Sequence, residues 1–111
     1  MKTVLVIDDL KSFDFPYDWN IIYARTLEDG LKILHGIMYL PSIESPEELE
    51  LWLDHDLGGD DTIRPLCLML AEMAYYGSTY PFSRIVICSK NPVGRDWIKS
   101  TLRDYPVVSL Y

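Results

Sequence analysis

The sequence predicts an α/β fold: a single doubly wound parallel sheet of about five strands, all in one domain. Three observations carry this expectation. Short apolar runs rich in β-branched residues recur along the chain, as strands buried on both faces require. From the second run onward, stretches of helical periodicity separate them, which implies parallel pairing with helical crossovers. Acidic or small polar residues stand directly after three of the runs, where sheets of this kind bind ligands. With 111 residues, 49% of them hydrophobic and 24% charged, the chain has material for one ordinary core and is not of the disordered class.

Each element follows from its own signal. Val4–Ile7 is a wholly apolar strand that ends at Asp8-Asp9. Lys11–Asn20 contains Pro16 and no helical period, and reads as a loop. Ile21–Ala24 is the second strand. Thr26 offers an N-cap, with Asp29 three residues on as in a capping box. Leu27, Leu31, Leu34 and Met38 then mark one helical face, and Gly36 falls near its expected end. Pro41 to Pro46 is a connector, in which Ser45-Pro46-Glu47-Glu48 suits a single helical turn. Leu49–Leu53 is the third strand. Thr62 is the expected cap of a second helix facing inward with Ile63, Leu66, Leu70, Met73 and Ala74, and Pro65 is tolerated in its first turn. Arg84–Cys88 is the fourth strand. Asn91 caps and Pro92 opens a third helix, whose core face is Trp97, Ile98, Leu102 and Tyr105. Val107–Tyr111 is a last strand.

Charge excludes some functions. Lys+Arg 10 against Asp+Glu 17 leaves a formal net charge of −7. Such a surface argues against a grip on duplex nucleic acid or on an anionic membrane face. A small anionic ligand in a local basic or amide-lined pocket remains compatible with it. No apolar stretch approaches the roughly 18 residues of a membrane span, and Val4–Ile7 is too short for a signal-peptide core. A cytoplasmic location is the expectation. The two cysteines, Cys67 and Cys88, lie inside apolar runs without zinc-ligand spacing and read as reduced, buried thiols.

The ends of three strands carry the chemistry. Strand one ends in Asp8-Asp9, strand three in Asp54-His55-Asp56 and strand four in Ser89-Lys90-Asn91. Carboxylates brought together repel, so a cation or a shared proton must relieve them. Hard oxygen ligands suit Mg²⁺ or Mn²⁺. Asp8 and Asp9, with Asp54 or Asp56 and Asp54 preferred, are the candidate metal ligands. His55 stands between two aspartates; it is either a general acid–base oriented by Asp56 or a buried hydrogen-bonding residue. Ser89-Lys90-Asn91-Pro92-Val93-Gly94 is a strand-to-helix turn whose first amides make an anion cradle. Ser89, Lys90, Asn91 and Gly94 are therefore the candidate substrate-binding residues. Glu44 to Asp61 contains eight acids and no Lys or Arg, and most of that run, with Asp60 and Asp61, is expected to be solvated. His35 is expected to be an ordinary surface residue, and Arg95, Lys99 and Arg103 a solvated basic stripe. There is no P-loop, no GxGxxG and no Ser-His-Asp pattern.

Two resemblances follow from these residues. The acids after strand one, the aspartate after strand three and the Ser after strand four look like the receiver domain of response regulators. There the acids bind Mg²⁺, the strand-three Asp is phosphorylated and the hydroxyl contacts the phosphoryl group. These roles map to Asp8 and Asp9, to Asp54 or Asp56, and to Ser89. The receiver's Lys after strand five has no counterpart, and the helix between strands one and two and the final helix are missing. Leu53–Gly58 (LDHDLG) and Ser89–Gly94 (SKNPVG) resemble instead the cyclic-phosphate processing receiver domains of bacteria and phages. That resemblance implies a receiver-like, flavodoxin-like strand order with the first and last helices reduced or missing. It also implies binding and hydrolysis of a cyclic phosphate of the cyclic-nucleotide type, with divalent-metal assistance. Cys88 stands where that family typically has a second His. A non-catalytic, sequestering module and a degenerate phosphoacceptor receiver are the alternatives. The terminal strand leaves an edge open to pairing, so a homodimer is compatible with the sequence.

Overall fold

The computed structural model describes residues 2–39 and 48–111. Its elements are β1 (Lys2–Ile7), β2 (Asn20–Ala24), α1 (Leu27–Tyr39), β3 (Glu48–Leu53), α2 (Arg64–Tyr75), β4 (Arg84–Ile87), α3 (Pro92–Thr101) and β5 (Val107–Ser109). The strands form one sheet in the order β2-β1-β3-β4-β5, and every pairing is parallel. This is the expected doubly wound, flavodoxin-like order.

Handedness decides which face each connection covers. The chain steps one way from β1 to β2 and the other way from β2 through β3 and β4 to β5. Right-handed crossovers then place α1, α2 and α3 on one face and the β1–β2 connection on the other. The side chains agree. Leu5, Ile7, Leu51, Leu53, Ile85 and Ile87 pack with the helices, joined by Leu34, Leu66, Leu70 and Ile98. The alternate residues Val4, Val6, Trp52, Val86 and Cys88 form a second cluster, covered by Phe13, Phe15 and Trp19. Phe13 and Phe15 set their ring centroids 4.9 and 5.0 Å from that of Trp52. Three aromatic side chains on a loop therefore do what a helix would do on that face. Tyr105 ties α2 to the segment after α3, donating its hydroxyl proton to the Leu70 carbonyl at 2.7 Å.

Several sequence expectations are refined. Helix α1 runs through Gly36 to Tyr39, and Thr26 caps it by accepting from the Asp29 amide at 3.1 Å. The N-cap of α2 is Ile63, without a side-chain cap; Thr62 instead accepts from the Arg64 amide at 3.3 Å. Leu102 and Tyr105 are buried as expected but lie beyond the end of α3, and Trp97 is only half-buried. The proposed turn at Ser45–Glu48 lies outside the described residues, except that Glu48 opens β3. β4 and β5 are shorter than their apolar runs.

Glu50 is a correction to the solvated acidic run. It is 0% exposed, because its place in the middle of β3 directs it beneath Trp52 on the aromatic-covered face. Trp52 Nε1 donates to it at 2.7 Å, Arg84 Nη2 at 2.8 Å, and Lys2 Nζ lies at 2.8 Å. Burial alone would raise its pKa, but hydrogen bonds from Arg84, Lys2 and Trp52 outweigh that and hold it below the ordinary value. No helix among the described residues is long and apolar enough to cross a membrane.

Candidate functional site

The sheet ladder continues one residue past each central strand and so aims the side chains. The Asp8 amide donates to the Ala24 carbonyl at 3.1 Å, Asp54 to Ile7 at 3.0 Å and Cys88 to Leu53 at 2.9 Å. Strand alternation keeps Asp8, Asp54 and Cys88 in phase with Val6, Trp52 and Val86. Asp8, Asp9 and Asp54 each place one carboxylate oxygen within 4.8 Å of the other two. Asp8 is fully buried and Asp54 is 8% exposed. The Leu10 and Lys11 amides donate to Asp8 Oδ1 at 3.0 and 2.9 Å, which shapes the turn after β1. Asp8 Oδ2 lies 3.9 Å from the Cys88 thiol.

The electrostatics of this cluster oppose one another. Burial and then the Asp8 charge push the Asp54 carboxyl above its ordinary value, while Lys11 and the Ser89 hydroxyl pull it back. Burial, with Asp8 and Asp54 beside it, pushes the Cys88 thiol up to about 12, so it stays protonated. Three crowded carboxylates with one ammonium nearby leave negative charge uncompensated, and all their donors are hard oxygens. The residues present thus fit a divalent hard cation such as Mg²⁺ or Mn²⁺.

Lys11 was not among the residues the sequence singled out. Its Nζ donates to the Cys88 carbonyl at 3.3 Å, across the top of the sheet. It supplies positive charge at the acid cluster from the β1–β2 loop, whereas a receiver takes it from the end of strand five. A lone lysine in an aperiodic loop has no sequence signal; only the return of the chain over the sheet brings it there.

His55 belongs to a different network. Its Nδ1 pairs with Asp56 Oδ1 at 2.9 Å, and Arg64 Nε donates to its Nε2 at 2.9 Å. An arginine can only donate, so Nε2 accepts and the ring proton sits on Nδ1. The imidazole lies under α3: a Cβ built on Gly94 would fall 2.5 Å from His55 Cγ. Trp97 stands edge-on at 6.4 Å, and the Arg64 guanidinium covers the Trp97 ring at 4.5 Å. Hydrogen bonding to His55, working against burial and with help from Asn91, holds Asp56 below its ordinary pKa.

At the expected anion cradle the first amides of α3 already have a partner. Asn91 Oδ1 accepts from the Val93 and Gly94 amides at 3.1 and 3.2 Å, so the cap takes the amides meant for a ligand. Asn91 Nδ2 donates to Asp56 Oδ2 at 3.2 Å and joins the cap to the His55 network. Gly94 is required at this position for its bare Cα. Ser89 is buried, accepts from the Asn91 amide at 3.2 Å and stands beside Asp54. Lys90 is exposed, with Nζ 5.7 Å from the centre of the Tyr111 ring. Asp60 and His35 are exposed as expected, whereas Asp61 is half-buried with Oδ2 3.4 Å from the Leu27 amide. Gly58 has φ +94°, a conformation that favours glycine, and a Cβ there would lie in ordinary contact with Asp9 Oδ2 at 3.4 Å.

The fold and the acidic strand ends together define a receiver-like α/β domain. The chain belongs to the cyclic-phosphate processing receiver domain family, whose model matches residues 3–104. No curated protein and no solved structure matches it.

Proposed function

We propose that the protein binds a cyclic phosphate of the cyclic-nucleotide type at the carboxyl ends of β1, β3 and β4 and hydrolyses it. The observation that supports this reading best is the convergence of the Asp8, Asp9 and Asp54 oxygens within 4.8 Å, in a member of that family. Those three carboxylates would hold Mg²⁺ or Mn²⁺, which when bound polarises a phosphoryl group and offsets its charge. Lys11 and Lys90 attract the anion, and the Ser89 hydroxyl orients a non-bridging oxygen. At rest His55 Nε2 is unprotonated and filled by Arg64. A ligand that draws Arg64 away leaves Nε2 free to take a proton from the water that adds to phosphorus and to return it to the ligand oxygen released as the ring P–O bond breaks, with Asp56 holding Nδ1–H.

The saturation of both His55 nitrogens favours a second reading: a module that sequesters the same ligand without turnover. The test is incubation with cyclic mono-, di- and trinucleotides and Mg²⁺, read by mass spectrometry, alongside equilibrium dialysis. New linear product supports the hydrolase, and a tight complex with unchanged ligand supports the sequestering module. Neither product nor binding across the panel overturns both.

A further inference from the structure

Tyr111 is a half-exposed aromatic residue that pairs with no other ring among the described residues. The Leu110 amide donates to the Ile87 carbonyl at 2.9 Å. The Tyr111 amide lies 3.4 Å from Ser109 Oγ, and Ser109 Oγ donates to the Tyr111 carbonyl at 3.0 Å. These bonds hold Tyr111 level with the residues that follow β4, where Ser89 and Lys90 lie. Two ammonium groups attend its ring: Lys11 Nζ at 5.9 Å and Lys90 Nζ at 5.7 Å from the centroid. Lys11 also reaches the Cys88 carbonyl and acts on Asp54, so one lysine links the ring to the acid cluster. Tyr111 remains 51% exposed.

Several other described aromatic residues are spent on packing. Phe13 and Phe15 lie on Trp52, and Trp97 is covered by Arg64. Tyr75 and Tyr76 pack on each other at the far end of α2, which crossover geometry puts at the opposite edge of the sheet. A half-exposed ring with two ammonium groups over it at 5.7 and 5.9 Å, both free to turn to a phosphate and uncover it, matches a ligand that joins a planar base to a phosphate. The ring offers a stacking face and the ammoniums a counter-charge.

We propose that Tyr111 is the specificity-determining residue of the site, stacking the nucleobase of a cyclic nucleotide and so selecting it over cyclic phosphates that lack a base. This deepens the proposed function and rests on it. The test compares 2′,3′-cyclic AMP and 3′,5′-cyclic AMP with glycerol 1,2-cyclic phosphate by calorimetry in Mg²⁺, on the wild-type chain, Tyr111→Ala and Tyr111→Phe. Stacking predicts that at least one nucleotide binds the wild type more tightly than the glycerol compound. It also predicts that Tyr111→Ala weakens that nucleotide about 5- to 150-fold, the range one base–aromatic stack is worth, while Tyr111→Phe retains it. Binding of the glycerol compound is the same in all three proteins. Equal binding of nucleotides and glycerol compound by the wild type overturns the inference and leaves the cyclic-phosphate site standing. So does a Tyr111→Ala variant that weakens all ligands alike. If no cyclic phosphate binds the wild type, the site reading fails and the inference with it.

Discussion

Gly94→Ala tests whether the His55 network is as rigid as its contacts imply. A Cβ at Gly94 would lie 2.5 Å from His55 Cγ, 2.8 Å from its Cβ and 3.0 Å from Cδ2. Cβ and Cγ are the root of the side chain and cannot swing aside without moving the backbone that follows β3. The ring is further pinned by Asp56 at Nδ1 and Arg64 at Nε2. Overpacking of this kind costs about 1–3 kcal/mol, against a helix-propensity gain of about 1 kcal/mol at most for replacing glycine. The net expectation is a loss of about 1–2 kcal/mol, near 4 °C in Tm per kcal/mol for a domain of this size. Urea denaturation of Gly94→Ala, His55→Ala and the double variant measures the coupling between the two positions. With the imidazole gone the contacts with Cγ and Cδ2 vanish and only the one with the Cβ of residue 55, at 2.8 Å, remains, so Gly94→Ala costs clearly less in the His55→Ala background. An equal cost in both backgrounds would show that the clash with the imidazole does not limit this position. The control is Gly30→Ala, whose nearest neighbour is the flexible Ile7 Cδ1 at 2.8 Å; it should change stability by less than about 1 kcal/mol, its propensity gain offsetting the adjustment.

Other outcomes follow from the same contacts. Asp54→Asn removes a charge that burial and Asp8 both oppose; it should raise the melting temperature in metal-free buffer and abolish the Mg²⁺-dependent increase, which for the wild type is about 2.7 kcal/mol at a hundredfold excess over Kd. Asp54 holds its proton more tightly folded than unfolded, so its contribution to stability is full below its ordinary value of 3.8 and is lost as pH rises through the folded pKa. Glu50 has the opposite sign: its contribution is present above the ordinary 4.5 and is lost as pH falls through the lowered folded pKa. Urea midpoints across the acid range should therefore show a flattened acid limb in Glu50→Gln, together with a loss of about 1–3 kcal/mol near neutrality from its broken charged hydrogen bonds. Phe15→Ala opens the aromatic cover over Trp52 and should cost about 2–3 kcal/mol, less than a fully buried Phe because the side chain is half-exposed; an unchanged midpoint would remove the loop from the account of that face.

The sequence by itself determined the sheet. Apolar β-branched runs of strand length, helical periods between them and acids at their ends are local signals, and they were sufficient for the elements, the parallel pairing and Asp8 and Asp9 with either Asp54 or Asp56. They were sufficient because a strand buried on both faces leaves an unbroken apolar run, and because the residue after such a strand must emerge at the edge where ligands bind. What the sequence could not determine depends on residues far apart in the chain. Glu50 reads as one more solvated acid until β1 and β4 bring Lys2 and Arg84 beside it. His55 and Asp54 are neighbours in sequence, yet strand alternation sends Asp54 to the acid cluster while His55 packs against Arg64 and Gly94 of α2 and α3. Lys11 and Tyr111, a hundred positions apart on the chain, meet only because the β1–β2 loop and the end of β5 both return to the top of the sheet. Local propensity and periodicity carry no information on such meetings. They are fixed by crossover handedness and strand register, which belong to the folded chain as a whole.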